Sequence, residues 1–296
     1  MDILPQLLVN ALIAGSIYAL ASAGLTLSYG LLKILNFAHG HLMMLGAYIF
    51  YWLAVDLQNG LIVSGLGTFV IIACVAILTL KVFIFPFTKY SFILVFVTTL
   101  AFSTMLESFV SMVFGVNVKS LTTGMDISSY EVWGVYITPI QIVIIVSALV
   151  LLGALAAVVH LTPVGRKIRA LSEFSQAAES LGVNQRRVTY SIFIVSIALA
   201  AYAGVLVGYE TNMQPTMGNA YTIKAFAAMI LGGLGNVWGT IVGSYLLGLI
   251  ENLSIGLDFG DYSIPAGYKD AFAFLIILLV LLFKPQGLFN RASRKS

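Results

Sequence analysis

Apolar residues in this chain come in long, unbroken runs. Eight runs, at 6–28, 42–55, 61–85, 92–112, 138–160, 188–208, 237–252 and 268–283, are apolar almost throughout, and a shorter one occupies 222–231. They do not read as the ten-residue alternating segments of a membrane barrel. A helix needs roughly 20 mostly apolar residues to cross a bilayer. The pattern therefore predicts an all-α polytopic membrane protein, a single domain over 1–296 with about seven to eight transmembrane helices plus shorter broken or re-entrant half-helices.

Composition narrows the class. Hydrophobic residues make up 60% of the 296, charged residues 9%, and the mean hydropathy is +1.00. Ordinary soluble chains carry about 45–50% and about 25%. Too few polar groups remain to cover a soluble surface, which excludes a soluble enzyme, a disordered chain and a nucleic-acid-binding module. The single cysteine, Cys74, can build neither a disulfide framework nor a zinc site and reads as a small buried hydrophobe. The opening MDILPQLLVN lacks a basic n-region, so the first run is expected to be retained.

Charge sets sidedness. Arg166, Lys167, Arg169, Arg186 and Arg187 fall in the loop 161–187, Lys284, Arg291, Arg294 and Lys295 in a short tail at 284–296, and Lys81 and Lys89 beside a third turn. Positive charge marks the cytoplasmic side. Asp126, Glu131, Asp258 and Asp261 fall in loops on the other side. Counting back from 161–187 gives a consistent alternation to Leu61. A plain hairpin or a re-entrant loop at 29–41 both satisfy it, which leaves the side of the N-terminus open.

Two stretches break the hairpin pattern. The segment 222–252 must begin and end outside, yet it contains Leu231-Gly232-Gly233-Leu234-Gly235-Asn236. This reads as a half-helix, a Gly-rich turn inside the membrane and a return helix. Asn36-Phe37-Ala38-His39-Gly40-His41 interrupts the first pair of runs in a similar way. Non-helical backbone at that depth survives only when buried in protein or lining a wet cavity. An offset of 180 aligns Ser16, Ile17, Ala21, Ala23, Gly24 and Tyr29 with Ser196, Ile197, Ala201, Ala203, Gly204 and Tyr209, a hint of an internal repeat of the kind common in transporters.

Ionisable residues inside apolar runs call for a reason. Glu107, Glu251 and Lys224 are expected to snorkel to the outer interface, with Lys224 alternatively meeting Glu210, Glu251 or a substrate carboxylate. No charged cluster is expected to converge at mid-membrane. His39 and His41 lack a third ligand for a metal, and His39 suits a hydrogen-bonded role at a helix break or a place along a path. The pairs Gly204-x-x-x-Gly208 and Gly239-x-x-x-Gly243 permit close helix packing. Thr98, Thr99, Ser103 and Thr104 are expected to bond across helices, and Trp52, Trp133 and Trp238 to anchor or pack.

The loop 161–187 is the one hydrophilic cytoplasmic segment. Thr162 can cap a helix that starts at Pro163. Leu171, Phe174, Ala178 and Leu181 recur at helical spacing as one apolar stripe, and Gly182 suits a left-handed cap. Such a stripe lies on lipid or on the bundle's own ends, or docks in a groove of a soluble partner.

Here the residues resemble a family. Gln176-Ala177-Ala178-x-x-x-Gly182 is similar to the EAA-x-x-x-G loop of ABC-importer permeases, with Gln replacing the first Glu. Gly15-Ser16-Ile17-Tyr18-Ala19-Leu20 followed by Asn36-Phe37-Ala38-His39-Gly40 resembles the opening of LivH-type branched-chain amino-acid permeases. Arg169-Ala170-Leu171-Ser172-Glu173, Lys224-Ala225-Phe226, the Gly-rich 231–235 and Lys284-Pro285-x-Gly-Leu288-Phe289 continue the likeness along nearly the whole chain.

The resemblance implies an ABC-importer permease fold in a bacterial inner membrane. It implies a second, LivM-like permease, two ABC ATPase subunits and a periplasmic or lipid-anchored solute-binding protein. Leu171, Glu173, Phe174, Gln176, Ala177, Ala178, Leu181 and Gly182 would carry the ATPase contact. The chain has no G-x-x-x-x-G-K-[ST] phosphate loop, so ATP and Mg would bind the partners and no cofactor this chain. Asn36, His39, Gly40, Lys224, Gly232, Gly233 and Asn236 would lie along the translocation path. A urea or short-amide permease shares the architecture, and an ion-coupled secondary transporter is the rival from another class; no nucleophile and base are arranged for an enzyme.

Overall fold

The computed structural model describes residues 3–122, 128–132, 134–255, 268–284 and 286–289. Asp126, Trp133, Asp258, Asp261, Pro285, Arg291, Arg294 and Lys295 lie outside the described residues. In chain order the helices are α1 (Leu4–Leu32), α2 (His39–Tyr51, prolonged by a π-helical turn to Asp56), α3 (Leu61–Leu78, prolonged through Thr79–Ile84 into α4, Phe85–Thr88) and α5 (Phe92–Phe114). A β-hairpin follows, β1 (Tyr130–Val132) antiparallel to β2 (Val135–Ile137). Then come α6 (Pro139–Leu161), α7 (Pro163–Glu173), α8 (Ser175–Ser180), α9 (Gln185–Glu210), α10 (Met217–Gly232), α11 (Val237–Ile255) and α12 (Lys269–Phe283).

Among the described residues, five helices are long and apolar enough to cross a membrane: Leu4–Leu32, Leu61–Thr88, Phe92–Phe114, Pro139–Leu161 and Gln185–Glu210. The pair α10–α11 is bent by 119° at the Gly-rich turn, and α2 and α12 are shorter. The hairpin is the element that the apolar pattern misses, because three-residue strands in a polar loop leave no periodicity to read.

The helices divide by how much of their surface is apolar and buried. The helices α1 and α9 are enclosed over most of their length. By contrast, α3 exposes Ile62, Leu66, Phe69 and Val70, and α6 exposes Val143, Val146, Leu149 and Val150, so these face lipid. Cys74, expected to be buried, is exposed on α3, where a thiol among lipid-facing side chains meets no polarity conflict.

Small residues let the central helices touch. A Cβ at Gly24 would lie 2.4 Å from the Ser196 carbonyl oxygen, and the Ser196 hydroxyl donates to the Gly24 carbonyl. Between α2 and α9, Gly204 lies against the Met43 backbone and Gly46 against Ala201. A polar ladder ties α1 to α11: Ser22 Oγ to Ser244 Oγ at 2.6 Å, Thr26 Oγ1 to Thr240 Oγ1 at 2.9 Å and Ser16 Oγ to Tyr245 Oη at 3.1 Å. Such interhelical bonds average about 0.6 kcal/mol each in membrane proteins. Thr98, Thr99, Ser103 and Thr104 instead bond mostly to carbonyls of their own helix; Thr98 Oγ1 also reaches Phe83 O, and Thr99 Oγ1 accepts from the Phe37 N–H.

One clamp settles the side on which the chain starts. The Gln6 amide accepts from the Tyr136 N–H at 2.9 Å and donates to the Tyr136 carbonyl at 3.1 Å. The first turn of α1 therefore sits beside the hairpin, at the end of α6 opposite the basic loop, which is the outer face.

From there the depth of each break follows. Gly30, near the inner end of α1, lies beside Gly235. The Leu288 N–H donates to the Leu231 carbonyl at 2.9 Å, and Asn236 Nδ2 donates to the Phe289 carbonyl at 3.0 Å. The Gly-rich turn, expected inside the membrane, thus lies at the basic, inner end and is covered by the segment after α12. The apolar signal of α10 starts late, at 222, because its first turn carries Asn219, which is exposed and hydrogen-bonded to Glu107 on α5. The other break lies deeper. Segment 33–38 climbs without helix, and α2 begins at His39 level with Ala21, the middle of α1.

Candidate functional site

The loop between α6 and α9 forms its caps as the sequence predicts. Thr162 Oγ1 accepts from the Gly165 N–H at 3.4 Å with Pro163 in the first turn, and Gly182 takes φ +86°. Arg169 Nη1 donates to the Val159 carbonyl at 2.7 Å, satisfying an orphan acceptor at the end of α6.

The single stripe does not form. Phe174 adopts an extended backbone (φ −141°, ψ 84°) and splits the segment into α7 and α8. The break turns the two halves relative to each other. Leu171 (4% exposed) and Ala178 (3%) pack into the bundle, while Phe174 (74%) and Leu181 (86%) face away from it. A straight helix would put all four on one side and leave the bundle or the outward face without apolar contact. Glu173, Gln176, Ala177 and Gly182 surround the outward pair on the exposed surface.

A second group sits in the interior. Lys224 Nζ lies 3.1 Å from Glu251 Oε2 and 3.0 Å from Asp270 Oδ1, and donates to Tyr18 Oη at 2.9 Å. Tyr18 in turn donates to Glu251 Oε2 at 2.7 Å. Tyr18 lies at the middle of α1, so this charged cluster converges where none was expected, and Lys224 and Glu251 do not snorkel to an interface. A lysine with two carboxylates and a phenol offsets the desolvation that each charge would meet alone. The sequence names Glu251 as a possible partner of Lys224; Tyr18 and Asp270 carry no signal, since only folding brings four helices to one point. Glu210, the other partner considered, instead accepts from Gln141 Nε2 at 3.0 Å.

The third group lies where α2, α5 and α10 meet. Glu107 Oε2 accepts from Asn219 Nδ2 at 3.1 Å and faces His41 Nε2 at 3.3 Å. Glu107 therefore does not snorkel either; it is tied to two neighbouring helices.

The residues expected along the path occupy packing positions. His39 is fully buried with Nε2 at 2.9 Å from the Ala21 carbonyl. Asn36 Oδ1 accepts from the Ala38 N–H at 3.1 Å, fixing the turn just before α2. The Gly40 N–H donates to Thr222 Oγ1 at 3.1 Å. Gly232 lies against Gly239, Gly233 (φ +110°) makes the turn, and Asn236 Oδ1 accepts from the Gly239 N–H at 3.1 Å. These residues shape the two breaks and hold them to the rest of the bundle.

A multi-pass bundle with broken helices, small-residue contacts and an outward apolar pair on its basic face defines the class: a membrane-embedded permease. Comparison with known proteins carries this further. The family model described as "Branched-chain amino acid transport system / permease component" matches residues 7–281, and the chain belongs to that family. It is 31% identical to the high-affinity branched-chain amino acid transport system permease protein LivH of Salmonella typhimurium, over 97% of this chain and 95% of that one. BraD of Pseudomonas aeruginosa, described in the same words, is also 31% identical with the same coverage. The ribose import permease RbsC of Haemophilus influenzae is 27% identical over 95% of this chain and 83% of its own.

Among solved structures, PsaBC from Streptococcus pneumoniae superposes with a TM-score of 0.53 at 13% identity, covering 97% of this chain and 93% of that one, which shows a shared fold. The protein is an ABC-importer permease subunit, multi-pass in the bacterial inner membrane.

Proposed function

We propose that this chain carries branched-chain or other hydrophobic amino acids inward, its access alternating under the control of partner ATPases. The observation that carries the coupling half is the outward pair Phe174 and Leu181 on the basic face: two large apolar side chains beyond the bundle, held on a rigid element whose other face is anchored in it. A groove on an ATPase subunit is the fitting acceptor. Rotation of the ATPases would then pull on α7 and α8 and reach α9 and α1.

The complete importer comprises two such ATPases, which bind ATP and Mg while this chain holds no cofactor, a second LivM-like permease, and a periplasmic or lipid-anchored solute-binding protein. The substrate reading rests on the LivH and BraD relatives, which exceed the ribose permease in both identity and coverage. The family architecture alone does not select the solute.

The test is to co-express the chain with its genomic neighbours, reconstitute the purified complex in liposomes and measure leucine uptake with and without internal ATP. ATP-dependent uptake supports the reading. Urea or acetamide uptake in place of leucine moves the substrate, and uptake driven by an ion gradient without ATP overturns the mechanism.

A further inference from the structure

We propose that the exposed face shared by α5 and the start of α10 walls the outer half of the transport route, and that Glu107 receives the ammonium group of the amino acid passing along it. This rests on the amino-acid reading above and adds a residue and a place to it.

The argument begins with α5 as a helix. Thr104, Glu107, Ser108 and Ser111 recur at three- and four-residue spacing, so they share one face. Thr104 and Ser108 are exposed, and Glu107 and Ser111 partly so. The exposed residues of α6 named above are all valine and leucine. A carboxylate among hydroxyls is costly against acyl chains, and intramembrane charges almost always face protein or a water-filled cavity. The two helices thus show two different surroundings, lipid for α6 and water or a partner for this face of α5.

The carboxylate is built in rather than loose. Both of its protein contacts, from Asn219 and His41, fall on Oε2, and Oε1 accepts no hydrogen bond among the described residues. Its side chain is 27% exposed. A carboxylate has room for about four donors, so a fixed, partly open acceptor remains for a ligand.

The face also ends where a closed gate should be. Phe96 precedes Glu107 by eleven residues, which returns it to nearly the same side of α5 about 16 Å closer to the basic end. There Phe37 packs against both Phe96 and Phe226 with ring centroids 4.7 Å apart in each case. Aromatic rings below and a carboxylate above make a route open outward and shut inward. Among the described residues no free lysine or arginine stands beside Glu107 to take the solute's carboxylate, and Lys224 is engaged with Glu251, Asp270 and Tyr18. The amino acid is held at one end only, a weak hold that suits passage.

The test uses the whole reconstituted complex in a Cys74→Ala background. Glu107→Gln is expected to lower leucine uptake about tenfold or more, the size of one charge-assisted hydrogen bond, and Glu107→Asp to recover most of it. Ser108→Cys is expected to react with a membrane-impermeant maleimide from outside, and the lipid-facing Val146→Cys not to react. Uptake by Glu107→Gln equal to that of the unmutated complex overturns the proposal. So does an unreactive Ser108→Cys, even with slowed uptake, because Glu107 is then a packing residue. If the unmutated complex moves no amino acid but the cysteines react as expected, the substrate assignment fails while the route stands.

Discussion

Lys224 and Glu251, 27 residues apart in sequence, meet at 3.1 Å across the bend between α10 and α11, with Glu251 only 1% exposed. Asp270 brings α12 and Tyr18 brings α1 to the same lysine. Four helices are thus pinned at one ionic point. Removing one partner of a buried pair leaves the other charge uncompensated and costs about 3–5 kcal/mol. Lys224→Met is therefore expected to lower the melting temperature of the detergent-solubilised protein sharply. Lys224→Met combined with Glu251→Leu is expected to recover part of the loss. A double variant as unstable as the sum of the singles argues against direct coupling.

The split of the coupling segment makes four similar residues behave differently. Phe174→Asp and Leu181→Asp leave the bundle untouched and place a charge where an apolar contact is expected. Each should abolish leucine uptake while the chain still inserts and the ATPases still hydrolyse ATP. Leu171→Asp buries the charge instead and should lower the amount of folded protein recovered from the membrane. Quantifying membrane-inserted protein, ATP hydrolysis and uptake in parallel separates the two outcomes. Undiminished uptake by Phe174→Asp removes that residue from coupling.

How much of this was legible in the sequence depends on range. Every long apolar run became a helix, because twenty consecutive apolar residues have few other fates in a bilayer. The caps at Thr162 and Gly182 are local rules and held. Helical spacing carries the stripe 171–181 straight through Phe174, whose extended backbone no local residue announces. The depth of the Gly-rich turn depended on the segment at 286–289 folding back over it, a contact more than fifty residues away in sequence. Tyr18, Asp270, His41 and Asn219 acquire meaning only from partners on other helices. Charge patterns along one strand of text cannot place them.

Helix packing offers a matched pair of glycine tests. A methyl group at Gly24 meets the Ser196 carbonyl oxygen at 2.4 Å, a backbone atom that cannot move without shifting α9, whereas a methyl at Gly153 meets nothing within 4 Å. Gly24→Ala is expected to destabilise the solubilised protein by at least the roughly 1–3 kcal/mol of an overpacked core. Gly153→Ala is expected to be neutral or to stabilise by up to about 1 kcal/mol, the helix-propensity gain of alanine. Thermal melts of the two variants side by side check this, and equal melting temperatures would mean that α1 and α9 do not approach so closely.

Sidedness can be checked without any partner. The Gln6 clamp on Tyr136 puts the start of α1 on the hairpin side, and the basic loop puts Phe174 on the other. Leu4 is half exposed in the first turn of α1 and tolerates replacement on packing grounds. In a Cys74→Ala background, Leu4→Cys in intact spheroplasts should react with an impermeant maleimide. Phe174→Cys should react only after the membrane is opened, because its side chain lies beyond the inner ends of the bundle. Labelling of both from the same side would break the alternation. Loss of Leu4→Cys labelling alone would instead detach the N-terminal turn from the hairpin. Gln6→Ala supplies a further reading: without the two hydrogen bonds, exchange at the Tyr136 amide should quicken while the transmembrane helices keep their protection.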